Sequence, residues 1–224
     1  MPHVKLWTSV ILLLSFSSFW ACSGEEGNKK ETKTILQKGE PSEEHSTLSQ
    51  KYFENGEFEK ALEEDKKQLA EDLKYYKEET PEIALDYNNI GLDYDRLKKH
   101  TKAIEYYKKA MKIDEQTLED NSTERSTTYY NFASSNEALG NYDKALEYYQ
   151  KALNIDKAGL GEFSRDVLDE YEDIAKLYEK MGKVKLAIEE YQNIVDIMAH
   201  GSNPESERAK RVKVKIEALK KRLK

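Results

Sequence analysis

The sequence predicts an all-α protein, a solenoid of helix pairs that is closed by one further helix at the C-terminal end. Four alanines recur at intervals of 42 residues, Ala61, Ala103, Ala145 and Ala187, and a fixed period of this length is typical of helical repeat arrays. Apolar residues recur at spacings of three and four on both sides of a turn in each unit. Since a single helix pair cannot bury its apolar face alone, the units are predicted to stack.

In three of the four units a turn residue lies five positions before the periodic alanine. It is glycine in each of them, Gly56, Gly140 and Gly182, and the second unit is the exception, with Lys98 at this position. Glycine readily takes the left-handed conformation that commonly ends a helix, so the first helix of each pair should end here. Three further columns keep the same period: Tyr87, Tyr129 and Tyr171; Ile90, Phe132 and Ile174; Tyr107, Tyr149 and Tyr191.

The second unit carries the most complete pattern, with Tyr87, Ile90-Gly91, Tyr94, Ala103, Tyr107 and Ala110. This order resembles the tetratricopeptide repeat, which implies a right-handed superhelical α-solenoid, here of four units over residues 43–202. A common unit has about 34 residues. The longer unit, with a segment like Tyr87-Asn88-Asn89-Ile90-Gly91, resembles the repeats of kinesin light chains and related bacterial proteins. The first unit departs from the pattern at Asp65 and Gln68, as terminal repeats often do.

Capping residues predict where the later helices begin. Thr80-Pro81-Glu82 opens the second unit, Ser122 to Glu124 the third and Ser164 the fourth, since Ser, Thr and a first-turn proline favour helix starts. Asn203-Pro204 should break the chain before a C-terminal capping helix within residues 203–224. One apolar stripe is predicted along that helix, formed by Ala209, Val212, Ile216, Leu219 and Leu223.

Residues 1–21 differ in composition from the rest of the chain. An apolar run from Leu6 to Trp20 is too short for a comfortable transmembrane helix and predicts a secretion signal. The following Ala21-Cys22-Ser23 resembles the lipobox of bacterial lipoproteins, from which Phe19 and Trp20 depart. The resemblance implies lipid attachment at Cys22 and a place in the bacterial cell envelope, with Ser23 favouring the outer membrane.

Alternatives to lipidation stay open at this stage. They are ordinary signal cleavage near Gly24, an uncleaved anchor, and an incidental cysteine, although Cys22 is the sole cysteine of the chain and has no disulfide partner within it. Residues 22–42 are polar and lack a period, so they are predicted to be a flexible tether.

The distribution of charged residues limits the class of partner. Acidic residues outnumber basic ones by 43 to 36, while residues 205–224 hold nine basic and three acidic residues. The acidic body would repel phosphates, so no nucleic acid partner is expected. The basic helix is either a solvated face or a contact for an acidic surface, which would be lipid headgroups or a neighbouring array.

The sequence holds no catalytic pattern. The four histidines, His3, His45, His100 and His200, are scattered, and none has a metal-ligand partner four residues further along the chain. No glycine-rich phosphate loop is present. We therefore expect a non-enzymatic protein without a cofactor or a metal ion.

The concave face, formed mainly by the first helix of each pair, is the predicted binding surface. The resemblance assigns eight peptide-binding candidates to it: Asn88, Asn89, Leu92, Tyr130, Asn131, Ser134, Asp173 and Lys176. An asparagine amide can donate to and accept from a peptide backbone at once. The alternative is that these amides satisfy neighbouring helices or water. Acidic residues of the fourth unit predict a ligand with a basic or neutral segment.

Two functions follow from the sequence. The first is a lipid-anchored interaction scaffold that binds a partner protein or an extended peptide in its groove. The second is a structural envelope lipoprotein that self-assembles into homo-oligomers, either end to end or through its basic last helix.

Overall fold

The structure is a computed structural model that describes residues 40–201 and 206–223. The described residues form nine helices and no strand: α1 (Glu44–Glu54), α2 (Phe58–Asp72), α3 (Pro81–Arg96), α4 (His100–Thr117), α5 (Thr123–Ala138), α6 (Tyr142–Leu160), α7 (Arg165–Lys180), α8 (Val184–His200) and α9 (Glu207–Lys221). The predicted signal peptide, Cys22, most of the tether and the Asn203-Pro204 break lie outside these residues. Within them, no helix has the length and apolar character needed to cross a membrane.

The helices form a linear array. Four antiparallel pairs, α1 with α2, α3 with α4, α5 with α6 and α7 with α8, pack so that each second helix also contacts the next first helix, and α9 packs on α8. The four periodic alanines are fully buried, which lets the two helices of each pair approach closely. The all-α solenoid predicted from the 42-residue period is confirmed.

The turn inside each pair has a left-handed backbone, as predicted for the three pairs with a glycine. Gly56, Gly140 and Gly182 have φ of 75°, 78° and 72°, and Lys98 takes the same conformation with φ of 60°. For a residue with a Cβ this conformation costs roughly 1–2 kcal/mol, so the second pair keeps the turn geometry at an energetic penalty.

Replacing Lys98 with glycine should therefore stabilise the array. We expect a gain of about 0.5–1 kcal/mol in the free energy of unfolding, because relief of left-handed strain exceeds the added entropy of glycine in the unfolded chain. Gly140→Ala is the matched control and should destabilise by about 1 kcal/mol. Urea unfolding followed by circular dichroism measures both, and a loss of stability in Lys98→Gly would contradict this interpretation.

The helix starts agree with the capping residues. Ser122 accepts a hydrogen bond from the Arg125 backbone N–H, and Ser164 accepts one from the Asp166 N–H. Pro81 is the first residue of α3, although Thr80 makes no side-chain capping bond. Along α9 the apolar stripe is buried as predicted, except at Leu223, which is 47% exposed. That part of the prediction is wrong because the helix ends at Lys221.

Candidate functional site: the face of the first helices

Four of the eight predicted binding residues are buried between neighbouring first helices. They are Asn88, Tyr130, Asn131 and Asp173. The Asn131 Nδ2 donates to the Asn88 Oδ1 at 3.3 Å and so links α5 to α3. The Tyr130 hydroxyl donates to the Asp173 Oδ2 at 2.5 Å and links α5 to α7. These polar groups stabilise the stacking of the array, since each gives a buried neighbour its hydrogen bond.

The expectation that all eight residues face an open groove is therefore wrong for these four. Tyr130 and Asn131 are each 2% exposed, so no ligand can contact their polar atoms without moving a helix. The physical reason is that consecutive first helices lie side by side, and the positions between them face the adjacent helix rather than the solvent.

The other four candidates, Asn89, Leu92, Ser134 and Lys176, are partly exposed. Asn89 and Leu92 lie on α3 with Leu85, whose side chain is 53% exposed. Spacings of four and three place these three residues on one stripe of the helix. We call Leu85, Asn89 and Leu92 the α3 stripe. It offers two apolar side chains and one amide to a ligand.

Lys176 lies at the opposite end of the row, where charges dominate. Its Nζ contacts the Asp173 Oδ1 at 3.0 Å and the Glu172 Oε1 at 3.3 Å. These bonds hold the ammonium on its own helix. Lys176 is therefore a constrained cation on α7.

The acidic face of α7 meets the basic C-terminal helix. The Arg208 Nη1 lies 2.7 Å from the Asp169 Oδ1, and the Arg208 and Arg211 Nη2 atoms lie 3.1 and 3.0 Å from the Glu172 Oε2. Burial would raise the pKa of Glu172, but the combined fields of Lys176, Arg208 and Arg211 hold it below its ordinary value.

These ion pairs line a cleft of about 600 Å³ between α7 and α9. The lining residues are four cations and four acids: Arg165, Lys176, Arg208 and Arg211; Asp169, Glu172, Asp173 and Glu207. The acidic interior predicted for the fourth unit is therefore balanced by cations of α9, while the preference for a basic or neutral segment stays a prediction. Several cations of the basic helix pair with acids of its own chain.

A second periodic feature, which the sequence prediction missed, connects successive pairs. Three buried tyrosines of the second helices donate to carboxylates at the ends of the preceding first helices: Tyr107 to Asp95 at 3.2 Å, Tyr149 to Glu137 at 2.9 Å, and Tyr191 to Glu179 at 2.9 Å. Each carboxylate also takes a donor from the following first helix or from α9, which is Ser135, Lys180 or Lys215. Both columns have the 42-residue period, and this shared period was the available signal.

No metal centre is evident in the part of the chain that the structure describes. In residues 40–201 and 206–223, no group of three or more His, Cys, Asp or Glu side chains is arranged to hold a metal ion.

The tetratricopeptide repeat family model matches residues 45–116, 87–158 and 124–200. Together these segments span most of the chain and all four helix pairs. A search of the curated proteins found no match.

Solved structures with the same architecture come from several sources. BtubC (BKLC) from P. vanneervenii is 23% identical, with 80% of this chain and 71% of that chain covered and a TM-score of 0.69. A protein from Podosopora anserina with nearly identical TPR-like repeats, assigned to the kinesin light chains, is 18% identical, with 80% and 95% covered and a TM-score of 0.68. The MamA protein is 22% identical, with 79% and 81% covered and a TM-score of 0.55.

At these identities the solved structures show a shared fold. The family model carries the assignment, because its three overlapping matches together cover residues 45–200 and with them all four pairs. Arrays of this type generally serve as non-enzymatic protein-protein interaction scaffolds, which use the extended surface created by stacking. The chain belongs to the tetratricopeptide repeat family.

Proposed function

We propose that this protein is an adaptor that holds an extended segment of a partner protein against the exposed side of its first helices. The observation that carries the proposal is the α3 stripe, in which Leu85, Asn89 and Leu92 present apolar surface on both sides of an amide. An amide can both donate to and accept from a peptide backbone. Apolar side chains of the ligand would pack against the two leucines.

The charge of the surface defines the rest of the ligand. The cleft between α7 and α9 carries equal numbers of cations and acids, so it disfavours a segment with a large charge of either sign. We expect a segment with apolar side chains towards α3 and polar or mixed-charge residues towards α9.

Loss of the α3 stripe should remove partner binding. In a Leu85→Glu, Asn89→Ala variant we expect recovery of the partner, after crosslinking in intact cells, to fall by about tenfold or more, since buried anchor residues dominate interface energies. Lys108→Glu, at an exposed position of α4, is the matched control and should leave recovery of the partner unchanged. Circular dichroism checks that both variants fold, and equal recovery from all three proteins would contradict the proposal.

We further propose that a lipid on Cys22 anchors the array to the bacterial cell envelope, at the outer membrane. Support comes from the sequence: an apolar run and a small residue precede the sole cysteine. An alkyne-tagged fatty acid should label the wild-type chain and leave Cys22→Ser unlabelled. Equal labelling of the two chains would refute the anchor at this residue.

A further inference from the structure

The interface between the first and second pairs contains four facing aspartates. Asp65 and Asp72 lie on α2, and Asp86 and Asp93 lie on α3. Each pair of positions is seven residues apart, which is about two helical turns, so both carboxyls of a helix lie on the same face. All four residues are between 1% and 8% exposed. We call them the aspartate seam.

The seam pairs acid with acid. Asp65 interacts with Asp93, and Asp72 interacts with Asp86. Both Asp93 carboxyl oxygens and the Asp86 Oδ2 are buried and take no hydrogen bond from an N–H or O–H donor of the described residues. A hydrogen bond between the two carboxyls of each pair would satisfy them. Two ionised carboxylates have no proton with which to form such a bond, because an ionised carboxylate only accepts. Each bond therefore requires one retained proton, and two protons hold the complete seam.

The surroundings add little positive charge. From α1, Ser49 is hydrogen-bonded to Asp65, and within α2 the Gln68 Nε2 donates to the Asp72 Oδ1 at 3.0 Å. The field of Lys66 reaches Asp93 and is weaker than the effect of burial there. The other titratable groups that act on the seam are acids and one phenol: Glu64, Glu71, Glu82 and Tyr76.

Burial and the negative charge of the partner act in the same direction on the two α3 carboxyls. Burial, and then the charge of Asp72, raise the pKa of Asp86 to about 9. Burial, and then the charge of Asp65, raise the pKa of Asp93 to about 9. Burial also raises the pKa of Asp65 and of Asp72. Neutral carboxyl groups are favoured where desolvation and a like charge combine.

At the interface between the second and third pairs, the corresponding buried aspartate has a hydroxyl group as its partner instead of a second acid. Asp114 occupies the position of Asp72 one period later, but its partner is Thr128, whose hydroxyl donates to the Asp114 Oδ2 at 2.7 Å. A hydroxyl can donate to an ionised carboxylate without a retained proton. The third interface carries the acids Asp156 and Glu170 at these two positions, both buried. Among these three interfaces, the first has two pairs of facing acids, Asp65 with Asp93 and Asp72 with Asp86.

We propose that the first helix pair is latched to the array by protons, so that α1 and α2 dock firmly when the aspartate seam holds its two protons and release as the pH rises. The docked seam binds more protons than the separated carboxyls, which ionise near pH 4. Docking is therefore fully favoured below about pH 4 and weakens as the pH rises through about 9. Each retained proton changes the docking constant by up to about tenfold per pH unit.

Release changes the binding surface. Leu62 and Leu69 of α2 pack against the core that α3 and α4 share, so undocking uncovers apolar surface of α3 next to the α3 stripe. The contacts of the aspartate seam are separate from the α3 stripe. The test of this proposal therefore does not depend on the proposed adaptor function.

A fluorescent dye pair across the interface tests the latch. The full chain carries dyes at Glu59→Cys and Lys108→Cys in a Cys22→Ser background, and energy transfer is followed through urea titrations from pH 5 to pH 9. We expect the docking constant to fall by at least about a hundredfold between pH 5 and pH 8. A second dye pair at Glu124→Cys and Glu147→Cys reports the rest of the array.

Neutral variants separate the seam from general charge effects. In Asp86→Asn, Asp93→Asn the docking constant should change by less than about tenfold over the same range, since an amide donates to Asp65 and Asp72 without a titrating proton. Asp143→Asn, whose side chain is 93% exposed, should behave as the wild type. If the double variant fails to fold, each single Asn variant should remove about half of the pH slope.

Three results would overturn the proposal. One is a docking constant of the wild type that does not fall with pH, and another is an equal fall in the Asn variants. The third is loss of energy transfer at the same urea concentration for both dye pairs at every pH, which would mean that the first pair has no docking equilibrium of its own.

Discussion

Tyr149→Ala should lower the free energy of unfolding by about 3–5 kcal/mol, the range for removal of a buried aromatic side chain. Tyr149 is fully buried, its ring centroid lies 5.2 Å from that of Tyr130, and its hydroxyl donates to Glu137. Truncation removes the packing and the hydrogen bond together in the centre of the array. Urea unfolding monitored by circular dichroism gives the value.

Tyr149→Phe is the matched control for the hydrogen bond. It keeps the ring and should cost about 1 kcal/mol, because Glu137 retains its contact with Lys180. Similar losses in the Phe and Ala variants would mean that the hydrogen bond, rather than packing, dominates at this position. A cost below 1 kcal/mol for Tyr149→Ala would contradict the close packing of α5 and α6.

Arg125→Ala should cost about 2–3 kcal/mol, since hydrogen bonds from a charged donor are stronger than neutral ones. The buried Arg125 side chain reaches back from α5 to the end of α4, where its Nη2 donates to the backbone oxygens of Asp114 and Leu118 at 3.2 and 2.5 Å. Without the guanidinium these oxygens lose their charged donor and α4 loses its C-terminal cap. Urea unfolding again measures the loss.

The ion pair of the same arginine provides the control. Arg125 also contacts Asp120 at 2.7 Å, but the Asp120 side chain is fully exposed, so Asp120→Asn should cost less than about 1 kcal/mol. Equal effects of Arg125→Ala and Asp120→Asn would show that the ion pair, and not the capping of α4, is the stabilising contact.

The backbone of the array could be predicted from the sequence because its signals are local and repeat. Gly56, Gly140 and Gly182 mark the turns, and Ser122 and Ser164 mark helix starts. Lys98, the exception in the column of the glycines, takes the same left-handed conformation, which its residue type does not predict. At the turn glycines and the capping serines, local preferences and the period agree. Such agreement allows the fold to be predicted from the sequence.

The exposure of the candidate site could not be predicted in the same way. Asn89 and Asn131 share one column of the repeat, yet Asn89 is partly exposed and Asn131 is buried against Asn88. The difference lies in the neighbours: Asn131 meets Asn88 of α3, whereas Ser46 of α1, one period before Asn88, is exposed. A column fixes the direction of a side chain on its own helix, but burial depends on the helix beside it.

The aspartate seam could not be predicted from the sequence either. In the sequence, Asp65 is a departure from the aromatic position of the first unit, and nothing local connects it to Asp93 on the next helix. Two acids that meet across an interface break the rule that buried polar groups have complementary partners. Such a conflict becomes visible only when the helices are placed together.

The proposed adaptor function requires that a partner segment lies along the exposed side of the first helices. Photoreactive residues placed one at a time at Leu85, Asn89 and Ser134, and at the exposed outer positions Lys108 and Glu147, test it in intact cells, with the adducts identified by mass spectrometry. We expect the three groove positions to react with one short segment of a partner protein and the two outer positions to give no adduct with it. Adducts at the outer positions alone, or adducts only with a second copy of this chain, would contradict it.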